Sequence, residues 1–330
     1  MWVKNKNIKL VVNYGVGPLL FMILGYSIYH QVKHQPGLRD AILNLENNIN
    51  GKNSWMLYLS LGLMLVNWGI ESRKWQVLIR PLEPIKFLHS FRAILSGIAF
   101  SISTPNRVGE YGGRVLYVKD GHRWQAVSLT IVGSFSQLII TFFFGLGGLL
   151  FMLENPVTAA GIEPYRLWIR VLFFGSLIIT VFITAFYFRL AWMIKLLHRL
   201  PVSNRIINRL TVIEDLPVTF LLRVLSLSFG RYLVFVIQYI LLLQLFDVQV
   251  SVWQAFWLVS VLYLVLAIVP TVALAEVGVR GEVSLILFAI VSSNKLGIVS
   301  AATAIWFINL VIPAIVGSLL FLGIKIFSDK

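Results

Sequence analysis

The sequence has 330 residues, 58% hydrophobic and 13% charged, with a mean hydropathy of +0.83. Soluble domains carry roughly a quarter charged residues, so the composition argues against a soluble enzyme and excludes disorder. Lys and Arg number 28 against 14 Asp and Glu, a formal charge of +14. The bases are scattered between apolar blocks, which reads as loop topology around membrane spans rather than as a nucleic-acid surface.

Crossing a bilayer takes about 20 apolar residues. Six stretches reach that scale: roughly 10–30, 54–70 (running on to about 80), 125–153, 167–188, 224–246 and 299–323. The first is expected to be a retained span, because Tyr14, Tyr26 and Tyr29 occupy places where a signal peptide would have small residues. Residues 31–53, with Pro36-Gly37, form a short external loop. Three further apolar stretches, 87–104, 252–269 and 279–293, are shorter or irregularly flanked. Residues 189–223 read as a cytoplasmic loop containing an interfacial helix, since Ile206, Ile207, Leu210 and Ile213 alternate with Arg205 and Arg209.

Basic groups orient these spans. Lys4, Lys6 and Lys9 precede the first. Arg73, Lys74, Arg80, Lys86 and Arg92 follow the second. The loop at 189–223 carries six, and Lys325 and Lys330 come last. The positive-inside rule puts all four groups, and both termini, in the cytoplasm. That parity holds only if 87–123 enters and returns to the same side. Its returning part carries Arg107, Glu110, Arg114, Lys119, Asp120 and Arg123, too polar to face lipid. The same parity makes 252–293 a hairpin from the outside. The expected fold is therefore an all-α polytopic membrane protein: a single integral membrane domain over 1–330, with about six full spans and two re-entrant hairpins.

A self-match supports an inverted repeat, with halves at about 54–153 and 224–323. Glu110, Gly112 and Arg114 form Glu-x-Gly-x-Arg, and so do Glu276, Gly278 and Arg280. Each copy follows an apolar stretch and a proline, Pro105 or Pro270, that ends the preceding helix. Glycine permits the tight turn, and arginine offers a planar fork for phosphate or carboxylate. Opposed broken helices meeting near the midplane are a known way to build a transport site. Candidate substrate contacts are Arg114, Arg280, Glu110, Glu276, Arg107 and Glu282. The competing reading has Glu and Arg pair at i,i+4 and hold only the fold.

Arg231, inside the span 224–246, either seeks a carboxylate or lipid phosphate or snorkels to the interface. Ser134, Ser136 and Gln137 read as interhelical glue, and Gly145-Leu146-Gly147-Gly148 as close helix packing. Asn309 followed by Pro313 suggests a kinked last span with Asn309 facing a cavity. Glu71, Arg73 and Lys74 read as interfacial anchors. The chain has no Cys, which rules out disulfides and thiolate chemistry. His30 and His34, and the isolated His89, His122 and His198, make no metal set. No Walker loop, dinucleotide fingerprint or nucleophile–base pair occurs, so no cofactor or metal is expected.

Three runs carry a resemblance: Asn67-Trp68-Gly69-Ile70-Glu71-Ser72-Arg73-Lys74-Trp75-Gln76, Thr104-Pro105-Asn106-Arg107-Val108-Gly109-Glu110, and Glu276-Val277-Gly278-Val279-Arg280-Gly281-Glu282. In order and spacing they resemble the lysylphosphatidylglycerol synthase transmembrane family, over about 10–324. The second motif departs from the family in reading Pro270-Thr271-Val272-Ala273 where a glycine-rich turn is usual. The resemblance is to the membrane half, without an aminoacyltransferase domain, so it implies lipid translocation rather than lysyl transfer.

The leading expectation is an inner-membrane protein that binds and flips an anionic phospholipid or a polyprenyl-linked lipid. Arg114 and Arg280 would hold phosphate, with Glu110 and Glu276 as counter-ions. The expected partners are the bilayer, an anionic lipid or lipid-linked saccharide, and a second copy or envelope-biosynthesis enzymes; nucleic acid is not among them. The alternatives are a membrane-embedded glycosyl- or phospho-transferase and a small-solute transporter.

Overall fold

The computed structural model describes residues 51–320 apart from 52, 103, 105–106, 190–212, 214–215 and 270–272, together with 22, 26, 29 and 43. Most of the expected first span, most of the external loop, most of the interfacial loop, and Pro105 and Pro270 lie outside the described residues. Those described are 86% helical and contain no strand.

In chain order the helices are α1 (Ser54–Ile79), α2 (Phe87–Ser101), α3 (Gly109–Val115), α4 (Arg123–Glu154), α5 (Pro156–Gly161) and α6 (Arg166–Phe188). They continue with α7 (Val218–Leu245), α8 (Val252–Ile268), α9 (Ala273–Phe288), α10 (Lys295–Trp306) and α11 (Ile312–Leu320). Local chemistry sets several boundaries. The Asn155 side chain accepts from the backbone N–H groups of Val157 and Thr158, with Pro156 at the first turn of α5. Ser251 caps α8 through the Gln254 N–H, and Asn294 caps α10 through the Gly297 N–H. A π-helical segment, Phe307–Val311, joins α10 to α11. Pro313 has no N–H to give the carbonyl four residues back, which loosens the ladder at that point.

Among the described residues, four helical stretches are long and apolar enough to cross a membrane: Asp120–Glu154, Glu163–Phe188, Val218–Leu245 and Lys295–Leu320. These match four of the six expected spans. α1 has the length, at 26 residues, but Asn67, Glu71, Arg73 and Lys74 give it a polar second half. α2 and α8, at 15 and 17 residues, extend only about 22–26 Å at 1.5 Å per residue, short of a hydrocarbon core about 30 Å thick.

α1 packs against α7, α2 against α11, and α4 against α8; α2 also folds onto α3 and α8 onto α9. Glycines set the closest crossings. A Cβ at Gly148 in α4 would lie 2.6 Å from the Trp257 carbonyl in α8, and one at Gly317 in α11 would collide with the Leu95 carbonyl in α2. Gly145 and Gly147 meet Leu264 and Trp257 in the same way, so the glycine run in α4 is a packing surface. By contrast, α6 exposes Leu167, Trp168, Phe174, Ile178 and Phe182, an apolar face suited to lipid.

Candidate functional site

A cavity of about 570 Å³ opens between α1, α4, α7, α8, α9 and α10, within the usual range of about 300–1,000 Å³ for small-ligand sites. Its charged lining is Arg107, Arg231, Arg280 and Glu276; Trp68, Tyr232, Phe235, Tyr263 and Trp306 supply aromatic walls. Gln137, Thr141 and Asn309 add polar groups.

Glu276 sits in the first turn of α9. Arg107, between α2 and α3, grips it with Nη2 2.8 and 2.7 Å from its two carboxylate oxygens and Nε 3.2 Å from one of them. Arg280, one turn further along α9, donates to the same carboxylate at 2.8 Å, and its guanidinium lies 5.8 Å from the Tyr263 ring centroid. Arg107 reaches this position from a left-handed backbone, φ 56°, a conformation non-glycine residues adopt at a cost.

Behind the cavity lies a second charged network centred on Glu71 of α1. Its carboxylate is 2.8 Å from Lys74, 2.9 Å from Arg114 and 3.1 Å from Arg231. Arg114 also pairs with Glu110, the residue one turn earlier in α3. An amide chain extends it: Arg231 donates to Asn67 at 2.9 Å, Asn67 to Asn309 at 3.1 Å, and Asn309 to Gln238 at 3.2 Å. Gln238 in turn donates to the Ser60 carbonyl at 2.7 Å. α1, α3, α7 and the π segment are thus joined by buried polar groups, whose partners a low-dielectric interior makes costly to lose.

The two networks together hold Lys74, Arg107, Arg114, Arg231 and Arg280 against Glu71, Glu110 and Glu276. Five cations face three carboxylates, a surplus of two positive charges among the described residues. The Arg107 side chain is 40% exposed and the Arg280 side chain 10%, so the Glu276 group opens onto the cavity, where an anion would add acceptors for both forks. Among the described residues, the indole N–H groups of Trp68 and Trp306 and Oε1 of Gln137 are buried with no hydrogen-bond partner. All three belong to cavity-lining side chains.

The structure brings Arg107, Arg231, Glu276 and Arg280 to the cavity. Arg114 and Glu110 stand behind it in the Glu71 network. Glu282 is exposed on α9 and does not line the cavity. Gly112 and Gly278 have open space where a side chain would stand; the tight approach between α2 and α3 is made by Gly97, Gly109 and Gly113, with Gly113 set against the Gly97 backbone. Arg231 has a carboxylate partner and is stacked 5.2 and 5.1 Å from the Trp68 and Phe235 ring centroids, so it does not snorkel. Ser136 bridges to Ser228 across α4 and α7 at 2.7 Å, as interhelical glue. Glu71 and Lys74 depart from their expected interfacial place: they are 3% and 2% exposed and lie at the centre of the network. The signal for them was present, because Asn67, Glu71 and Lys74 are spaced i, i+4, i+7 and form one polar stripe on an otherwise apolar helix.

Helices of membrane-spanning length, broken or short helices beside them, and an arginine-rich interior cavity define an all-α integral membrane protein. Residues 41–317 match the family model described as the lysylphosphatidylglycerol synthase TM region. The chain belongs to that family. No curated protein shows significant similarity to it.

Proposed function

We propose that this protein binds the phosphate of an anionic phospholipid or polyprenyl-linked lipid in the cavity and moves the head group between leaflets. The observation that carries the reading is the charge at the cavity: Arg107 and Arg280 share the single carboxylate of Glu276, and Arg231 beside them shares Glu71 with Lys74 and Arg114, in a space flanked by apolar helices. Glu276 holds Arg107 and Arg280 in the empty state. An incoming phosphate, with more acceptor oxygens, competes for both forks. The acyl or prenyl tails stay in the bilayer, so no nucleotide is needed to carry them.

The reading extends to topology. Packing of α2 onto α11 and of α4 onto α8, with α1 against α7, is the contact pattern expected of two halves related by a pseudo-two-fold axis. It supports an inverted repeat over about 54–153 and 224–323, with α2–α3 and α8–α9 as re-entrant hairpins whose tips meet at Arg107 and Glu276. The positive-inside rule then puts both termini in the cytoplasm, in a plasma or inner membrane.

Proteoliposomes carrying head-group-labelled lipids and a membrane-impermeant quencher test this. Quenching of an anionic lipid beyond one leaflet should exceed that of protein-free vesicles and fall in the Arg107→Gln/Arg280→Gln variant. Full translocation by that variant, folded and inserted, would overturn the proposal.

A further inference from the structure

A second concavity lies apart from the central cavity and shares no lining residue with it. It is smaller, about 240 Å³, and is lined by Arg73, Gln76, Val77, Arg80, Pro84, Ile85 and Arg223. Arg73, Gln76, Val77 and Arg80 are spaced i, i+3, i+4, i+7 and so form one face of the last turns of α1. Pro84 and Ile85 belong to the α1–α2 connection, and Arg223 to the second turn of α7.

Three arginines converge here, and among the described residues no carboxylate lines the groove. The nearest acid in sequence, Glu83, is buried and engaged elsewhere: it accepts from the Lys119 N–H at 3.4 Å and lies 3.6 Å from His122. Arg73 spends one donor on Gln76, whose own amide is anchored to the Ile85 carbonyl at 2.7 Å. Each guanidinium has five N–H donors, so most remain available. Among the described residues, Arg73, Arg80 and Arg223 form no ion pair. Val77, Pro84 and Ile85 add an apolar wall.

The placement matters as much as the charge. The groove is formed by the last turns of α1, the α1–α2 connection and the start of α7; with the topology proposed above these helix ends face the cytoplasmic leaflet, within reach of lipid phosphates. Basic pockets between membrane helices on the cytoplasmic side recognise multiply charged head groups. We propose that the Arg73–Arg80–Arg223 groove is a phosphate-binding site at the membrane surface that takes a two-phosphate lipid head group.

The test uses the full-length protein in detergent, with native mass spectrometry counting retained lipid. Cardiolipin is the two-phosphate probe and phosphatidylcholine the zwitterionic control. The wild type should retain cardiolipin in preference, and Arg80→Gln/Arg223→Gln should lose one bound cardiolipin, with affinity down about tenfold or more. Arg166→Gln/Arg170→Gln removes the same charge from half-buried Arg166 and exposed Arg170, away from the groove, and should retain it. Arg80→Lys/Arg223→Lys keeps the charge without the fork and should give an intermediate loss. Inorganic pyrophosphate separates the sources: displacement of cardiolipin by pyrophosphate at similar concentration means that the phosphates suffice, and failure to displace means that the membrane-embedded lipid is the ligand. Equal retention by the two Gln double variants, or equal retention of both lipids by the wild type, would overturn the proposal.

Discussion

Replacing Glu71 by Gln removes the negative charge of the carboxylate shared by the most cations among the described residues. Its oxygens lie 2.8–3.1 Å from Lys74, Arg114 and Arg231, and its side chain is 4% exposed. After the substitution, those three cations keep only Glu110, which pairs with Arg114 alone. Breaking a buried pair by removing one partner costs about 3–5 kcal/mol, a large fraction of the roughly 5–15 kcal/mol that holds a typical domain together. The expected outcome is a marked fall in thermal unfolding temperature in detergent, with fluorescence and size exclusion as readouts. Lys74→Met added to Glu71→Gln removes one of the stranded cations. Part of the loss should return, with a coupling of about 1–3 kcal/mol in the double-mutant cycle. A Glu71→Gln protein as stable as wild type, or strictly additive effects of the two changes, would refute the view that Glu71 neutralises this core.

Other outcomes follow from the same geometry. Gly317→Val should disrupt the α2–α11 crossing and Gly148→Val the α4–α8 crossing, each at about 1–3 kcal/mol or more, while Gly278→Ala, with open space around it, should be close to neutral; unfolding temperatures rank the three. Glu276→Gln frees Arg107 and Arg280 from their shared carboxylate. It should hold an anionic lipid more tightly in native mass spectra yet translocate it more slowly, and unchanged retention would count against competition for those forks. Raising salt from about 0.1 to 1 M should leave unfolding temperature nearly unchanged, because buried pairs are weakly screened, but should weaken phosphate binding at the exposed Arg80–Arg223 groove; titrations of both quantities in one buffer series check this.

Composition and hydropathy determined the class. Long apolar blocks demand helices in a lipid environment, because only internally bonded backbone survives there, and four of the expected spans match helices of crossing length. The Glu-x-Gly-x-Arg recurrence led to Glu276 and Arg280, since charge within apolar sequence is rare enough to stand out. Which charge meets which was decided only by tertiary packing. The i,i+4 spacing of Glu110 and Arg114 correctly paired them, yet nothing local placed Glu71 of α1 beside both Arg114 of α3 and Arg231 of α7. Nor did spacing join Arg107 to Glu276, 169 positions apart. Each apolar helix could turn any face inward by periodicity alone; the glycine crossings at Gly148 and Gly317 settle how α4 and α11 meet their neighbours. Helix packing of this kind, invisible to local spacing, is what lets Arg107 and Arg280 share Glu276 at the cavity while Lys74, Arg114 and Arg231 share Glu71 beside it.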